Sequence, residues 1–453
     1  MATYLSPGVY VEEKPSEIKP IAGVGTSTAG FIGFFGDEIK IPKPNPKYDP
    51  TKEIVPSVSP SASAATEPPT PTGPRGRSGP ATSEPSPSGG SGDGNKPFVL
   101  DTFKPRAAGE VVFCTNFTEY KQAFGDFSTD EGQRSLTHGV YGFFQNGGTR
   151  CWVAREKDKA QITHVLGKFE GIDEIALVLA PGASDQVSWG ALLDHCEKLG
   201  ERFAILDTPK EVGTHETPDI GALTDETTRK TNVPRDSNHG AVYFPWIEAL
   251  DPATKIMTPK ESGRLYVPPS GHVAGIYARV DQERGVHKAP ANEVVRNALD
   301  LRYYISREHQ QSLNPIGINC LRDLNGAIRV WGARTIGGDR NNEWKYVNIR
   351  RTFLYLKESI DEGTQWVVFE PNDRMLWGKI VRNVSAFLFN VWRDGALFGS
   401  TAQEAFYVKC DDETNPPSIR EQGQVVTEIG VALTRPAEFV IFHVSQWAGP
   451  QKQ

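Results

Sequence analysis

Two stretches of the chain hold residue types that could bind a nucleotide or act as a nucleophile. Residues 23–25 (Gly-Val-Gly) resemble the turn of a phosphate loop, but no Gly-Lys-Ser/Thr follows, and the turn precedes an apolar strand instead of following one. Residues 194–197 (Asp-His-Cys-Glu) place a histidine beside a cysteine. Neighbouring residues on a helix point about 100° apart, so these two side chains would not meet. Neither stretch predicts an active site.

Two further stretches suggest acyl-transfer or cation chemistry. Ser270 and His272 lie close in sequence, but the Gly-x-Ser-x-Gly pattern of a nucleophile elbow is absent. Residues 411–413 (Asp-Asp-Glu) lack the glycine and the terminal glutamate of a calcium loop. The nine histidines show no metal-ligand spacing such as His-Glu-x-x-His. We therefore expect no catalytic residue, no cofactor, no metal site and no enzymatic activity.

The elements that carry these stretches alternate between strands and helices in the middle of the chain. Short apolar runs predict strands, and apolar residues three or four positions apart predict helices. Predicted strands cover 26–35, 110–115, 150–155, 175–179, 203–206 and 240–246. Predicted helices cover 117–127, 136–144, 189–200, the later part of 268–280, and 292–300. This alternation indicates an α/β layer.

The bulk composition is that of a large acidic chain. Its 453 residues exceed the usual size of a single hydrophobic core, which predicts two or three domains. A net charge of −7 and a pI near 5.8 argue against a nucleic-acid-binding protein. The five cysteines form no Cys-x-x-Cys pair, so we expect buried free thiols made in a reducing cytoplasm. We see no signal peptide and no run of membrane-spanning length, so export would need lysis or another device.

Residues 42–97 differ abruptly from the rest of the chain. Proline, serine and glycine make up more than half of them, and Tyr48 is the only aromatic residue. Such a composition cannot bury a core. We predict a disordered or polyproline-like insertion, which is either a solvated loop or a specialised surface feature.

The stretch 313–351 is dense in structural signals. It predicts a turn at Asn314, a strand over 316–321, a turn at 324–326, a second strand over 327–335, and a glycine loop leading into a helix. Residues 302–351 contain nine arginines or lysines against four acidic residues. In an acidic chain this surplus predicts an anionic complement, such as the acidic face of a neighbour.

The C-terminal part predicts two helices and several strands. Apolar residues at 349, 353, 356 and 360 mark the first helix, and Asn372 is a candidate N-cap for a long helix from 373 to about 398. Predicted strands cover 366–369, 405–410, 424–433 and 438–446. Basic side chains lie opposite the apolar stripe of the long helix, at Lys379, Arg382 and Arg393.

Both ends of the chain predict strands without a local partner. Residues 3–13 combine aromatic and β-branched side chains with a Pro-Gly pair, which excludes a helix and favours an extended arm. Unpaired edges invite aggregation, so strands kept at both ends suggest pairing with other molecules. Head-to-tail contacts of this kind build helical arrays when they do not close.

Several motifs give the chain a resemblance to a known family. Residues 5–13 (LSPGVYVEE), 288–292 (KAPAN), 369–372 (FEPN) and 395–399 (GALFG), together with 313–351, resemble the sheath protein of contractile phage tails and phage-tail-like injection machines. The resemblance spans both ends of the chain and skips 42–97. It implies a multidomain protomer of mixed α/β class, whose C-terminal α/β core is completed by extended arms from neighbouring subunits.

On this basis we divide the chain into an N-terminal arm (1–22), a middle α/β domain (23–41 and 98–300), the insertion (42–97), a C-terminal core (301–436) and a C-terminal strand arm (437–453). The intersubunit arms would use Tyr4, Leu5, Val9, Tyr10, Val11, Phe439, Val440, Ile441, Phe442, Val444 and Trp447. The acceptor hairpin would use Ile316, Ile318, Ile328, Val330 and Trp331. A tube contact would use Lys379, Arg382 and Arg393.

The resemblance also implies a function. Protomers would polymerise helically around an inner tube in a metastable extended state and then contract to drive the tube through a target envelope. Partners would be further copies of the chain, the tube protein, the baseplate and terminator or cap proteins, with no nucleic acid and no membrane insertion. The protein would be cytoplasmic when made and then part of a particle, with lysis as one route of release. Two other interpretations stay open: an α/β hydrolase or nucleotide-binding enzyme, and a static fibre or shell protein.

Overall fold

The computed structural model describes residues 20–49, 51, 95–214 and 217–441. Its strands are β1 (Ala29–Phe34), β2 (Ile39–Pro44), β3 (Phe98–Phe103), β4 (Val112–Cys114), β5 (Cys151–Glu156), β6 (Leu177–Leu179), β7 (Phe203–Asp207), β8 (Gly240–Phe244), β9 (Ile247–Leu250), β10 (Arg264–Val267), β11 (Glu293–Val294), β12 (Asp300–Leu301), β13 (Ile318–Leu324), β14 (Ala327–Val330), β15 (Phe406–Lys409) and β16 (Glu428–Val431).

The helices are α1 (Phe117–Phe124), α2 (Glu131–Asn146), α3 (Ile162–Phe169), α4 (Gln186–Leu199), α5 (Ile220–Thr224), α6 (Arg229–Asn232), α7 (Pro252–Met257), α8 (Ser270–Arg284), α9 (Arg307–Leu313), α10 (Val347–Thr364), α11 (Arg374–Arg393), α12 (Ala402–Ala405) and α13 (Pro417–Arg420). Short 3-10 helices cover Lys159–Gln161, Asn314–Ile316, Gly338–Trp344 and Gln365–Val367.

Nine of the strands form one sheet in the order β11-β14-β13-β8-β7-β6-β1-β5-β4. The six strands from β13 to β5 run parallel. At one edge β4 is antiparallel to β5, and at the other edge β14 and β11 are antiparallel additions. Parallel strands are buried on both faces, which explains why the predicted strands are nearly continuous apolar runs.

Both faces of this sheet are covered by helices. On β1, Phe31 lies in the core formed with α2 and α8, whereas the next residue, Ile32, lies in the core formed with α3 and α4. On β7, Phe203 and Ala204 divide between the same two cores. The result is a three-layer body that confirms the predicted α/β class.

Capping residues set the ends of the helices in this body. Asp130 accepts a hydrogen bond from the Gln133 N–H at the start of α2, and Asp185 accepts one from the Ser188 N–H at the start of α4. Helix α4 ends at Gly200, whose φ of 70° suits glycine because no Cβ is present to clash.

Helices α2 and α8 cross at very short range. A Cβ at Gly271 would lie 2.2 Å from the Gly139 carbonyl oxygen. A Cβ at Gly275 would lie 2.4 Å from the Phe143 carbonyl oxygen. Because both positions are glycine, the two helix backbones contact each other without intervening side chains.

Two smaller sheets flank the body. Strands β9, β10 and β12 form an antiparallel sheet, and β2 pairs with β3 from Ile39 to Pro44. Beyond the last pair, the Asn45 N–H bonds to the Pro97 carbonyl at 2.9 Å, and the Asn95 side chain donates to the Asp49 carbonyl at 2.8 Å. The ends of the predicted insertion are therefore ordered as a hairpin stem, while residues 52–94 lie outside the described residues.

The predicted helix over 292–300 is wrong. Asn292 and Asn297 have φ angles of 61° and 65°, left-handed values that interrupt a helix. The segment instead contains β11 and β12, and the Val295 N–H bonds to the Ile328 carbonyl at 2.9 Å. The spacing of its apolar residues matches one face of a helix only by chance. In the structure these residues belong to a segment at the edge of a sheet.

Three predictions about the C-terminal part are also wrong. Residues 366–369 form no strand, because the 3-10 helix Gln365–Val367 precedes Phe369, whose φ is 69°. The N-cap of α11 is Asp373, which accepts a hydrogen bond from the Leu376 N–H at 2.8 Å. Asn372 instead accepts a bond from the Trp377 ring N–H. Helix α11 stops at Arg393, before the predicted end near 398.

A second, smaller core surrounds α11. Its predicted apolar stripe is confirmed, since all five residues are buried: Leu376, Ile380, Val384, Leu388 and Val391. They pack with Leu356 of α10 and with the ribbon of β15 and β16. Ile21, from the beginning of the described chain, lies in the same core.

A buried ion pair joins this second core to the three-layer body. Arg351 of α10 donates to Asp281 of α8 at 2.9 Å, and these side chains are only 3% and 5% exposed. The Thr26 hydroxyl donates to the same carboxylate at 2.6 Å, and Arg351 donates to the Thr26 carbonyl at 2.9 Å. Three segments far apart in sequence therefore meet at one charge pair.

Helix α10 also carries Glu358, whose carboxyl group forms no salt bridge with another described residue. Burial, together with the smaller effects of the acidic side chains of Glu201, Glu362 and Asp173, raises the pKa of Glu358 to about 8, and Arg202 opposes the rise. The ionised form of Glu358 is therefore unfavourable in the folded protein.

We expect Glu358→Gln to flatten the pH dependence of stability. The folded-state pKa of about 8 lies above the ordinary value of 4.5, so protonated Glu358 favours the fold. This contribution is complete below the ordinary pKa and is lost as the pH rises through the folded-state pKa. Urea midpoints should match wild type near pH 4 and exceed it near pH 9. Parallel pH profiles for the two proteins would contradict this assignment.

Replacing residues 52–94 by a short Gly-Ser turn should leave the fold intact. The stem is closed by the pairing of β2 with β3 and by the bonds at Asn45 and Asn95, none of which needs the replaced residues. Circular dichroism should be superimposable and the Tm should stay within a few degrees of wild type. As a control, Ile39→Asp places a charge at a position 1% exposed and should lower the Tm strongly. Aggregation of the turn variant would show that the stem is insufficient.

Candidate intersubunit surface

The nucleotide and nucleophile candidates are packed as ordinary structure. The Val24 N–H bonds to Ser359 Oγ at 3.1 Å, so residues 23–25 are held by α10. Arg202 donates to His195 at 3.1 Å, and burial, followed by the charge of Arg202, lowers the pKa of His195 to about 4. Burial raises the pKa of the Cys196 thiol to about 12. Both shifts oppose the roles of base and nucleophile at neutral pH.

The Ser270 candidate is also occupied by internal contacts. Its hydroxyl donates to Asp207 at 2.6 Å, and both residues are buried. Burial raises the pKa of Asp207 to about 6, although Ser270 and the Gly182 N–H lower it in part. The Asp207 carboxyl is enclosed at the end of β7. Ser270 and Asp207 therefore form a buried hydrogen-bonded pair.

The acidic residues 411–413 each have a separate partner. Asp411 accepts hydrogen bonds from the N–H groups of Glu413 and Thr414. Asp412 pairs with Arg374 at 2.8 Å, and Glu413 pairs with Lys409. Across the described ranges, no set of three or more His, Cys, Asp or Glu residues is arranged to hold a metal ion. Nor does any helix in those ranges combine the length and hydropathy of a membrane span.

The predicted acceptor hairpin is present as β13 and β14, which pair antiparallel. Three of its five named residues serve the chain's own core, since Ile318, Ile328 and Val330 are buried. Ile316 lies in a 3-10 helix before β13 and is half-buried. Trp331 follows β14 and is 38% exposed. Of the five, Trp331 is therefore the side chain most available to a partner.

The outer edge of this hairpin is already paired within the chain. Strand β11 pairs with β14, and the Asn292 N–H bonds to the Val330 carbonyl at 2.7 Å. An incoming strand therefore cannot pair directly with β14 at these positions. The hairpin, which we assigned to a C-terminal core beginning at 301, also forms two strands of the body's nine-stranded sheet.

A groove of about 1070 Å³ lies beside Trp331. Its walls are the segment after α8, helix α9, residues 331–334 and residues 434–440. Basic side chains outnumber acidic ones along it, with Arg284, Lys288, Arg307, Arg334, Lys345 and Arg435 against Asp339 and Glu438. An extended segment carrying apolar and acidic side chains would complement this surface.

A hydrogen-bonded charge pair anchors the C-terminal segment in this groove. Arg334, 3% exposed, donates to both carboxylate oxygens of Glu438 at 2.8 Å. Asn314 and the Tyr346 hydroxyl also donate to Glu438 at 2.8 Å. Burial raises the pKa of Glu438, but the hydrogen bonds from these three residues outweigh it and hold the pKa below its ordinary value. Sequence reasoning missed this cluster, because its members are far apart along the chain.

Exposed apolar side chains follow Glu438. Phe439, Val440 and Ile441 are 69%, 68% and 75% exposed, and they form no strand within this chain. The remaining predicted arm residues lie outside the described part of the chain: Tyr4, Leu5, Val9, Tyr10, Val11, Phe442, Val444 and Trp447.

The ribbon of β15 and β16 offers unpaired edges. The two strands pair over four positions, and among the described residues neither strand pairs with a third strand. A two-stranded ribbon alone is marginal in water, and open edges accept further strands. The sequence predicted both strands but not their isolation, because strand neighbours depend on the topology of the whole chain.

The basic residues proposed to contact a tube lie on α11. Arg382 and Arg393 are exposed, and Lys379 is half-buried. Arg382 and Arg393 lie about three helical turns apart, which places them on one face of the helix. None of the three forms a salt bridge with another described residue, whereas Arg374 on the same helix pairs with Asp412.

The positive surplus over 302–351 is largely compensated inside the chain. The internal pairs are Arg302 with Glu211, Arg334 with Glu438, Arg340 with Asp236 and Arg351 with Asp281. In these four pairs the acidic residue comes from outside the 302–351 window, where a local count of charges could not find it, while Asp339 inside the window pairs with Arg334 and Lys345. These four arginines therefore need no anionic partner from another molecule.

Two family models match consecutive parts of the chain. Residues 158–336 match the phage tail sheath protein central domain, and residues 339–446 match the phage tail sheath C-terminal domain. A tail sheath protein of Vibrio phage KVP40 is 28% identical over 183 residues, which cover 39% of this chain and 26% of that protein. A putative prophage major tail sheath protein of Pseudomonas aeruginosa is 25% identical over 281 residues, covering 60% of this chain and 65% of that protein. The chain thus spans less than two thirds of either relative.

Solved structures share the fold over almost the whole chain. A sheath complex of an extracellular contractile injection system, PVC, in the contracted state has a TM-score of 0.67 at 22% identity and covers 99% of both chains. The helical sheath of the anti-feeding prophage in the contracted state has a TM-score of 0.65 at 24% identity, covering 98% of this chain and 100% of that one. With both domain models matched in order across residues 158–446, the chain belongs to the phage tail sheath protein family.

Proposed function

We propose that this chain is the structural protomer of a contractile sheath. Copies polymerise helically around an inner tube in a metastable extended state, and contraction drives the tube through a target envelope. The observation that carries this proposal is the match to both sheath domains, together with a C-terminal ribbon whose edges pair with no other described strand. The contracted sheaths that share its fold support the same interpretation.

Strand exchange between copies holds the polymer together. Each chain has one arm around residues 4–11 and another around 439–447, and its ribbon has two outer edges. Backbone hydrogen bonds along an added strand give affinity without a large apolar interface. The bonds to Glu438 fix the chain immediately before the exposed residues 439–441. The groove beside Trp331 is a second contact surface, along which an arm passes.

Contraction changes the packing between bodies while the arms stay paired. A difference of about a few kcal/mol per subunit between two packings is sufficient, since bistable assemblies differ by amounts of this order. The energy is stored in the assembled lattice, so the role needs neither a cofactor nor hydrolysis. We therefore infer a structural protein with no enzymatic activity.

The remaining partners are the tube, the baseplate and terminator or cap proteins. A structure of the anti-feeding prophage baseplate contains a chain of the same fold, with a TM-score of 0.64, which supports a baseplate contact. Lys379, Arg382 and Arg393 on α11 form the proposed contact with the tube. The protomer is made in the cytoplasm and becomes part of the particle, and its role involves neither nucleic acid nor membrane insertion.

Two alternatives give different results in simple experiments. A static fibre or shell protein would show one lattice in electron micrographs taken before and after an acid or denaturant trigger, whereas a sheath would show two. An α/β hydrolase or nucleotide-binding enzyme would turn over substrate without forming a concentration-dependent helical polymer.

Deleting residues 1–15 should leave a soluble monomer, because it removes the strand that one copy donates to the next. Light scattering should report a single chain, and electron micrographs of the variant co-expressed with tube protein should show no sheath. The matched control replaces residues 52–94, which removes more of the chain but neither arm, and it should still polymerise. Normal sheaths from the 1–15 deletion would refute the role of the N-terminal arm.

Reversing the basic stripe by Lys379→Glu, Arg382→Glu and Arg393→Glu should abolish tube binding and leave the fold intact. The substitutions replace charges that have no described internal partner, so the Tm should change little. Co-purification should recover sheath protein without tube. The control is Lys104→Glu, a residue on the loop after β3 with a 78% exposed side chain. Equal tube recovery from both variants would count against this contact.

A further inference from the structure

Two of the five cysteines lie directly opposite each other on neighbouring strands. Strand β4 pairs antiparallel with β5 in a register that sets Cys114 against Cys151. Both thiols are fully buried in the core on the α2 and α8 side of the sheet. The preceding pair, Phe113 and Trp152, has ring centroids 4.9 Å apart. Because side chains alternate along a strand, these rings project from the opposite face.

This arrangement suits a disulfide without movement of the backbone. Directly opposed residues of an antiparallel pair have Cα atoms about 4.5–5.5 Å apart, and their side chains share one face. Disulfides bridge Cα distances of about 4.4–6.8 Å. The other cysteines are separated from this pair, since Cys196 and Cys320 lie in the core on the other face of the sheet and Cys410 lies in the core around α11.

We propose that Cys114 and Cys151 form a reversible redox site, which closes into a cross-strand disulfide when the protein meets a low-molecular-weight disulfide such as oxidised glutathione. All five cysteines are buried free thiols in this structure, as predicted from their spacing. The spacing of the cysteines did not predict this pair, because 114 and 151 become neighbours only through the pairing of β4 with β5.

Access to the site is controlled by β4, the outermost strand at its edge of the sheet. It has only three residues, and Phe113 at its centre is 39% exposed. Strand β5 lies deeper, between β4 and β1. Burial raises the pKa of the Cys114 thiol to about 12, with a smaller contribution from Glu119, so the closed protein holds very little thiolate. Opening of the short edge strand therefore exposes Cys114 first.

The reaction proceeds by two exchange steps. The Cys114 thiolate attacks one sulfur of oxidised glutathione, forming a protein–glutathione mixed disulfide and releasing one glutathione. The Cys151 thiolate then attacks the Cys114 sulfur and releases the second glutathione. Two protein thiols are oxidised to one disulfide, one oxidised glutathione is reduced to two thiols, and the two thiol protons end on the released glutathione molecules.

The bond would tie the edge strand to the body and close the loop that contains α1 and α2. A chain made in reducing surroundings would fold with both thiols free and with an edge strand, β4, that can open. In oxidising surroundings the disulfide would form and would hold β4 against β5. This site is independent of the arms, the ribbon and the basic stripe on α11.

The test uses the full chain, reduced with dithiothreitol and then incubated with oxidised glutathione in mild urea. Non-reducing digestion and mass spectrometry should find one linked peptide joining Cys114 to Cys151, and the intact mass should fall by two hydrogens. After removal of urea, the Tm of the oxidised protein should exceed that of the reduced protein by several degrees, because the cross-link restricts the unfolded chain. Dithiothreitol should reverse both changes.

Two variants serve as matched controls. Cys151→Ala should lose the linked peptide and the Tm increase, and should retain one glutathione on Cys114. Cys320→Ala removes a buried thiol outside the pair and should keep both effects. The proposal is overturned if wild type yields no link between 114 and 151 under these conditions, or if the main product joins other cysteines. The wild-type peptide map decides this even if Cys151→Ala does not fold.

Discussion

A charge pair buried between α8 and α10 holds the two cores of this protein together. Arg351 belongs to the helix that leads into the α11 core, and Asp281 lies near the end of a helix of the three-layer body. Thr26 hydrogen-bonds to both, so the segment before β1 is fixed at the same point. Removing either charge would leave the other buried without its counter-charge, which costs about 3–5 kcal/mol. This contact therefore helps to hold the α11 core in a fixed position against the three-layer body, together with the bonds from Asn348 to the His287 carbonyl and from Lys357 to the Gly200 carbonyl.

The body and the C-terminal part differ in how far the chain satisfies its own hydrogen bonds. The outer edge of the β13–β14 hairpin is closed by β11, and the faces of the large sheet are covered by helices. In contrast, β15 and β16 form a ribbon to which no third strand of the described ranges is added, and residues 439–441 expose three large apolar side chains in succession. A subunit of a polymer must fold before it assembles. It therefore needs a body that satisfies its own hydrogen bonds, together with a strand edge to which another copy can add.

Local patterns predicted the elements, and long-range contacts decided most of what could not be predicted. The apolar runs of the central strands and the stripe on α11 follow from burial alone, and the structure confirms both. The prediction of a helix over 292–300 was wrong because asparagine adopts left-handed backbone angles, which a pattern of hydrophobic residues does not reveal. The roles of Arg334, Arg351 and Cys114 could not be predicted from the sequence for another reason. Their partners Glu438, Asp281 and Cys151 are brought to them only by the folded chain.

The glycine contact between α2 and α8 has a mechanical consequence. Helices usually pack with axes about 8–10 Å apart, separated by side chains that can change rotamer and absorb displacement. Here Gly271 and Gly275 bring backbone against backbone, so that compliant layer is missing at these two points, although the His272 ring packs against Gly142 nearby. Shear applied to α2 is therefore passed to α8 at these two points, and α8 carries Asp281, the residue that pairs with Arg351 of α10. The crossing is thus a stiff joint between the two helices.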